Sequence, residues 1–379
     1  MIIAVNTRFL LPNRLEGVGW VAYETLSRMV AAHPEDTFIF FFDRPFDPSF
    51  VFAKNVKPVV LFPQARHPFL FIWWFEWSVA RALKRYKADV FLSNDNFCTL
   101  NTDVPTCLVL HDVAWTHPEG RVGGLMQWYY DFFAPKFLKK ADRIVTVSNF
   151  VKQDALRAYP FLDENKMEIA YNACRSAFKP LENDEKTAIK AQYTEGSDFF
   201  IFVGAVHPRK NVHRLIEAFS VFKKRTNAGV KLLIVGPLGR QTDDVKMALK
   251  QSDFKKDIIF TGYVANEELP KLVGAALALT YVSLSEGFGI PILEAFNCEV
   301  PVLTSNTTSM PEVAADAALL VSPELVEEIA NALERLAFDS NLRAHLIEKS
   351  RQRRLDFDWD RTTAILYENI KKAQKKRQS

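Results

Sequence analysis

Two doubly wound α/β units in succession are what this sequence predicts, and three observations predict them. Short, nearly continuous apolar runs alternate with amphipathic stretches along almost the whole chain, the signature of parallel strands covered by helices on both faces. The alternation lapses once, in a polar stretch between Asn172 and Asp198, and strand-like runs then begin again. The length of 379 residues is too much chain for one core when typical domains run to about 100–200 residues.

In the first half, apolar runs bounded by polar breaks place strands at 2–5, 38–42, 56–61, 90–92, 107–110, 144–147 and 167–170. Apolar residues at helical spacing fill the gaps at 18–30, 70–86, 126–139 and 150–159. In the second half the strands fall at 199–203, 231–235, 258–260, 276–282, 300–304 and 319–321. Helices are expected at 212–225, 267–275, 291–298 and 324–338, the third with Pro291 suited to a first helical turn. A last helix begins near Trp359, after the second sheet is complete. The expected boundaries are residues 1–172 for the first domain, 173–197 for a linker region, 198–355 for the second domain and 356–379 for the terminal helix.

Composition narrows the function classes. Hydrophobic residues at 48% and charged residues at 25% exclude a disordered or fibrous chain. A net charge of +3, from 48 basic and 45 acidic residues, argues against a nucleic-acid binder coated in positive charge but leaves room for a local anion site. Cys98, Cys107, Cys174 and Cys298 lie far apart with no C-x-x-C pair, so they are expected as buried thiols in a reducing, cytoplasmic setting. The opening residues lack a basic n-region, and the most apolar stretch, 69–80, contains Glu76 and is too short for a bilayer that needs about 20 residues.

Glycine is scarce, 14 residues in all, so its placement is informative. Gly204, Gly236, Gly262, Gly287 and Gly289 all follow strands of the second half, at the carboxyl edge where open α/β sheets bind ligands. After Gly204, Arg209 and Lys210 precede an expected helix with Asn211 as its N-cap, a setting that favours an anion through backbone N–H groups and two side-chain cations. A second turn carries Glu286 and Glu294 around Gly287, Phe288 and Gly289. Carboxylates beside a phosphate cradle make sense as acceptors for hydroxyl groups flanking a diphosphate: a ribose on one side and another sugar on the other.

Glu286 to Glu294 form an E-x7-E motif with a Gly-Phe-Gly-Ile-Pro interior, and in this the sequence resembles family 4 of the retaining glycosyltransferases of the GT-B fold. The resemblance extends to Gly17-Val18-Gly19, His111-Asp112, Val147-Ser148, Gly204 to Asn211, Gly262-Tyr263-Val264 and Ser309 to Glu312. It implies two Rossmann-like domains facing across a cleft, the first binding the acceptor, with the terminal helix crossing back to the first. It also implies roles. Glu286 would hold donor-sugar hydroxyls, with the amides of Phe288 and Gly289 beside it, and Glu294 would bind the ribose. Arg209 and Lys210 would neutralise the diphosphate, and backbone near Gly262 and Tyr263 would receive the base. His111 would reach the donor sugar, and Gly17 to Gly19 the phosphate or acceptor. The reaction implied is transfer with retention from a GDP- or UDP-linked hexose of mannose or glucose type, in bacterial surface polysaccharide synthesis. No cofactor and no metal are implied; Asp356-Phe357-Asp358 lies after both sheets and is expected as a capping, solvent-facing segment. Two departures stand out: Ala205 where the family often has Arg, and Asn172-Ala173 where it often has Asn-Gly.

Other readings remain open at this level. Gly17-Val18-Gly19-Trp20-Val21-Ala22 fits a dinucleotide fingerprint with Asp43 as the ribose ligand, although Phe9 to Glu16 separate it from the first strand. A sugar-nucleotide epimerase, a phosphorylase or a sugar-binding module on the same fold are further alternatives. The aromatic stretch 69–77 is either a core helix or a patch for a membrane or for a glycan or lipid-linked acceptor. The basic tail 371–377 is expected as a solvated end, with attraction to anionic lipid as the alternative.

Overall fold

The computed structural model describes residues 1–12, 15–239 and 242–375; Arg14 and the end of the basic tail, Lys376 and Arg377, lie outside the described residues. Two compact units partition the chain, one of Met1–Asn172 with Asp358–Ser379 and the other of Ala173–Phe357.

The first unit runs β1 (Ile2–Asn6), α1 (Gly17–Ala32), β2 (Thr37–Phe42), β3 (Val56–Val60), α2 (Pro68–Trp73), α3 (Ala80–Arg85), β4 (Val90–Ser93), β5 (Thr106–Leu110), α4 (Gly124–Lys140), β6 (Arg143–Thr146), α5 (Asn149–Ala158) and β7 (Met167–Ile169). Its seven parallel strands lie in the order β3-β2-β1-β4-β5-β6-β7. Ile3 stands opposite Phe38 on one side and Val90 on the other. The chain therefore winds outward from β1, returns, and winds the other way, so β1 and β4 flank a switch point.

The second unit runs α6 (Asn183–Thr194), β8 (Phe199–Val203), α7 (Val212–Thr226), β9 (Lys231–Val235), α8 (Asp243–Gln251), β10 (Ile258–Gly262), α9 (Leu269–Ala275), β11 (Ala278–Tyr281), α10 (Ile290–Asn297), β12 (Val302–Ser305), α11 (Met310–Ala314), β13 (Leu319–Val321), α12 (Val326–Phe338) and α13 (Ser340–Arg353). The six strands are ordered β10-β9-β8-β11-β12-β13, so here β8 and β11 flank the switch point. Phe is heavily used, 31 residues, and the central strands show where it goes. Phe38, Phe40, Phe41, Phe42, Phe91, Phe199, Phe200 and Phe202 are all fully buried, because strands covered on both faces have no polar side.

Residues 173–197, expected as a linker region, carry α6, which packs against α9 within the second unit. A methyl group on Gly274 of α9 would come within 2.8 Å of Leu181. The terminal helix α14 (Trp359–Lys375) packs in the first unit beside α1. There the Tyr367 hydroxyl donates to Asp36 at 2.6 Å, its ring stacks on His33 at 3.4 Å, and Arg143 Nε donates to Asn369 Oδ1 at 2.8 Å. Asp358 Oδ1 accepts from the Arg361 amide at 2.8 Å at the start of this helix, and Asp356 pairs with Arg353 at 2.7 Å. No described helix is long and apolar enough to cross a membrane.

Candidate active site

The switch point of the second sheet brings two loops together. Since β8 and β11 are hydrogen-bonded neighbours, the loop after each emerges beside the other, and Leu284 N donates to Arg209 O at 2.8 Å between them. Gly204, straight after β8, sits so close to Gly236 after β9 that a Cβ on Gly236 would lie 2.1 Å from the Gly204 carbonyl oxygen, and φ at Gly236 is +138°. Only glycine fits there. The chain then makes a single tight turn, Pro208–Lys210, before α7.

Asn211 occupies the N-cap position of α7 but does not cap it. Its φ of +60° turns the side chain away, and Nδ2 donates to Val282 O at 3.0 Å and Pro323 O at 2.7 Å. The residue is a buried strut that fixes the Arg209–Lys210 turn against the ends of β11 and β13.

Three predicted residues meet at this point. Arg209 Nη1 donates to Glu286 Oε2 at 2.8 Å and to Ser285 O at 3.0 Å. Lys210 Nζ lies 2.5 Å from Glu286 Oε1 and donates to the Tyr281 hydroxyl at 2.7 Å. Glu286 is only 7% exposed. Burial alone would push its carboxyl up; the charges of Arg209 and Lys210 outweigh this and hold it at about 2. The cluster therefore carries two cations against one ionised carboxylate, a net positive charge. His207, on the same loop, is pushed below its ordinary value by burial and by Arg209 and Lys210.

The loop bearing Glu286 is fastened by hydroxyl groups. Thr304 Oγ1 donates to Tyr281 O at 2.8 Å, Ser305 Oγ to Ser283 O at 2.6 Å and Ser309 Oγ to Glu286 O at 2.9 Å, while Glu286 N donates to Thr308 Oγ1 at 3.3 Å. These residues follow along β12 and into α11, so the neighbouring strand acts as a rail for the loop.

Beyond Glu286, Phe288 buries its ring against Phe357 at 5.7 Å, and Gly289 precedes α10 with φ of +94°. Glu294 lies one turn into α10, buried, with Arg175 Nη2 at 3.3 Å from Oε1. Burial pushes Glu294 above the ordinary carboxylate value against the pull of Arg175. Gly262 ends β10, two strands from β8, with φ of +69°, followed by the half-exposed Tyr263.

The remaining predicted residues belong to the first unit. Gly17, Val18 and Gly19 form the first turn of α1, and a Cβ on Gly19 would lie 2.7 Å from Phe9 O. His111 follows β5; its amide donates to Asn96 Oδ1 at 2.7 Å, and Nε2 lies 2.7 Å from Asn94 O. A carbonyl partner requires the proton on Nε2, which leaves Nδ1 as the acceptor. Burial lowers the His111 pKa, so the ring is neutral. At the switch point of this sheet Arg8 pairs with Asp95, both buried, and lies over the rings of Phe9, Phe71, Phe75 and Phe97. Asp43, the ribose candidate of the dinucleotide reading, is buried and taken by Arg44 at 2.6 and 2.8 Å and by the Ala65 amide at 3.0 Å.

Sequence reasoning missed Arg175, Tyr281, Thr308 and Ser309 as parts of the site. Arg175 sits in the polar stretch assigned to a linker, and Tyr281 is one apolar residue among many in its strand. Ser309 begins a quoted motif, but no spacing rule ties it to Glu286.

Comparison with known proteins matches the model described as glycosyl transferases group 1 to residues 183–353, and the model described as glycosyltransferase family 4 to residues 15–176. The O-antigen chain mannosyltransferase B of Escherichia coli is 29% identical over 290 residues, 75% of this chain and 74% of that protein. The serotype-specific mannosyltransferase WbdA of the same organism is 24% identical over 254 residues, 64% of this chain but 30% of its own length. The crystal structure of WaaG, a glycosyltransferase involved in lipopolysaccharide biosynthesis, superposes with a TM-score of 0.77 at 16% identity, covering 97% of this chain and 99% of that one. The fold is GT-B.

Proposed function

The chain belongs to the family 4 glycosyltransferases, and we propose that it is a retaining hexosyltransferase. It moves a mannose- or glucose-type sugar from a GDP- or UDP-linked donor to a glycan or lipid-linked glycan in surface polysaccharide synthesis. One observation carries the reading: the Arg209–Glu286–Lys210 cluster at the switch point of the second sheet. Two cations at one carboxylate suit a ligand that is a diphosphate on one side and a ring of hydroxyl groups on the other. The mannose lean comes from the mannosyltransferase relatives.

Arg209 and Lys210 take the charge that develops on the diphosphate as it leaves, the work a metal ion performs elsewhere. Glu286, fully ionised, accepts from donor-sugar hydroxyls, and the amides of Phe288 and Gly289 lie beside it at the start of α10. Glu294 takes the ribose hydroxyls, with Arg175 holding it in place. His111, neutral with a free acceptor role at Nδ1, is suited to a sugar hydroxyl and not to proton donation. The bond from C1 to the diphosphate oxygen breaks, the bond from C1 to the acceptor oxygen forms on the same face, and the acceptor proton passes to the departing diphosphate.

Proton NMR of the first product formed from an α-linked donor on a short mannoside acceptor tests this reading. An α-linkage is expected, and a β-linkage would contradict retention.

A further inference from the structure

The aromatic stretch 69–77 divides by depth. Trp74 and Phe75 are buried, whereas Phe69, Trp73 and Trp77 are 59, 59 and 54% exposed. Between α2 and α3 lies one wide turn, Trp74–Val79, with hydrogen bonds one residue longer than in an α-helix. Glu76, the only carboxylate between residues 62 and 88, is engaged by the Leu100 amide, which donates to Oε1 at 3.0 Å. The helix α4 packs beside α2, with Phe71 against Tyr129 at 5.6 Å. It leaves a second stripe outside: Leu125, Trp128 and Phe132, at i, i+3 and i+7. Trp128 and Phe132 stack at 5.7 Å, and Lys136 Nζ sits 3.1 Å from the Phe132 ring centroid.

Charge decides what such a surface fits. Residues 66–87 hold Arg66, Arg81, Lys84, Arg85 and Lys87 against Glu76 alone. Residues 121–140 hold Arg121, Lys136, Lys139 and Lys140 against Asp131, itself paired with Arg121 at 3.3 Å. The two segments thus carry net charges of +4 and +3, while the whole chain carries only +3. The rest of the molecule is net negative in sum, so each of these two segments adds a local excess of positive charge around exposed tryptophan and phenylalanine.

We propose that this face of the first unit, α2 to α3 with α4, is a docking surface for an anionic lipid bilayer. Tryptophan and phenylalanine rings favour the boundary between headgroups and acyl chains, and flanking Lys and Arg favour anionic headgroups. A second copy of this chain fits the surface poorly, since a two-fold contact would set a basic face against itself. The inference does not rest on the transferase reading: vesicle binding and sugar transfer are measured separately, and either can fail alone.

Cosedimentation with phosphatidylcholine vesicles, with and without phosphatidylglycerol, tests it at low and high salt. Binding is expected only with phosphatidylglycerol, to weaken as salt rises, and to come with a blue shift of tryptophan emission. Trp73→Ser/Trp77→Ser and, separately, Arg81→Glu/Lys84→Glu each lower binding about tenfold or more. All four positions are exposed, so both variants keep the wild-type melting temperature; the charge pair serves alone if the tryptophan pair does not fold. Three results would overturn the proposal: equal binding to the two kinds of vesicle, variants that bind as wild type, or a dimer in sedimentation velocity that dissociates on the tryptophan substitutions.

Discussion

Glu286 is the residue on which the site turns, and its ionisation makes two predictions. Its carboxyl is held at about 2, below the ordinary 4.5, so its pairing with Arg209 and Lys210 stabilises the fold fully above about pH 4.5. That contribution is lost as pH falls from there towards 2, and is on the order of 3 kcal/mol. Urea melts of the wild type between pH 6 and 3 are expected to show an acid loss that Glu286→Gln lacks in large part. An equal loss in both would contradict the pairing. Glu294 has the opposite sign, raised by burial, so protonation relieves its cost as pH falls. For activity, Glu286→Ala is expected to lower turnover by at least about a hundredfold, as loss of one preorganised polar contact at a reacting centre does. Unchanged turnover would contradict the role given to Glu286, and no turnover in the wild type with any donor would favour a binding module. These residues were legible because the E-x7-E spacing and the Arg-Lys turn fall at strand ends. Arg175 was not, because one arginine in a polar stretch carries no periodic signal.

At the scale of elements, the hydroxyl rail along β12 and α11 holds the Glu286 loop in place. Ser309 is fully buried, and Ser309→Ala leaves the Glu286 carbonyl without that donor. The expected cost is about 1–3 kcal/mol of stability, with a several-fold loss of nucleotide affinity, measured by urea melts and calorimetric titration. A stability loss with unchanged affinity would confine the rail to a structural role. All thirteen strands among the described residues lie where apolar runs predict them, with ends shifted by a residue or two, because strands buried on both faces write their burial into consecutive residues. The helices α6, α8, α11 and α13 were not read. Three have thin buried sides: α6 buries only Ile189 and Thr194, α8 only Val245 and Ala248, and α13 only Leu346 and Ser350; α11, of five residues, is too short to show a helical period. The positive φ of Asn211 was invisible for a different reason, since asparagine suits both a cap and a left-handed position.

For the whole molecule, two features set the frame: a second unit that carries the cation–carboxylate cluster and a terminal helix that belongs to the first unit. Ile370 of α14 is fully buried, so Ile370→Ala is expected to cost about 2–5 kcal/mol while leaving nucleotide binding by the folded protein unchanged. A melt that does not shift would mean α14 contributes little to the first unit. Periodicity predicts that helix but not its destination, since a helix's apolar stripe does not say which sheet it covers; the family resemblance supplied the expectation. The central claim is that the Arg209–Glu286–Lys210 cluster binds a nucleoside diphosphate sugar. Thermal melting with UDP, GDP, ADP and their sugars, for the wild type and Lys210→Ala, tests it most directly. One base should raise the wild-type melting point, by an amount equivalent to about 2.7 kcal/mol at a hundredfold excess over Kd, undiminished by EDTA and largely lost in Lys210→Ala. No shift with any of them, or the same shift in the variant, would contradict it.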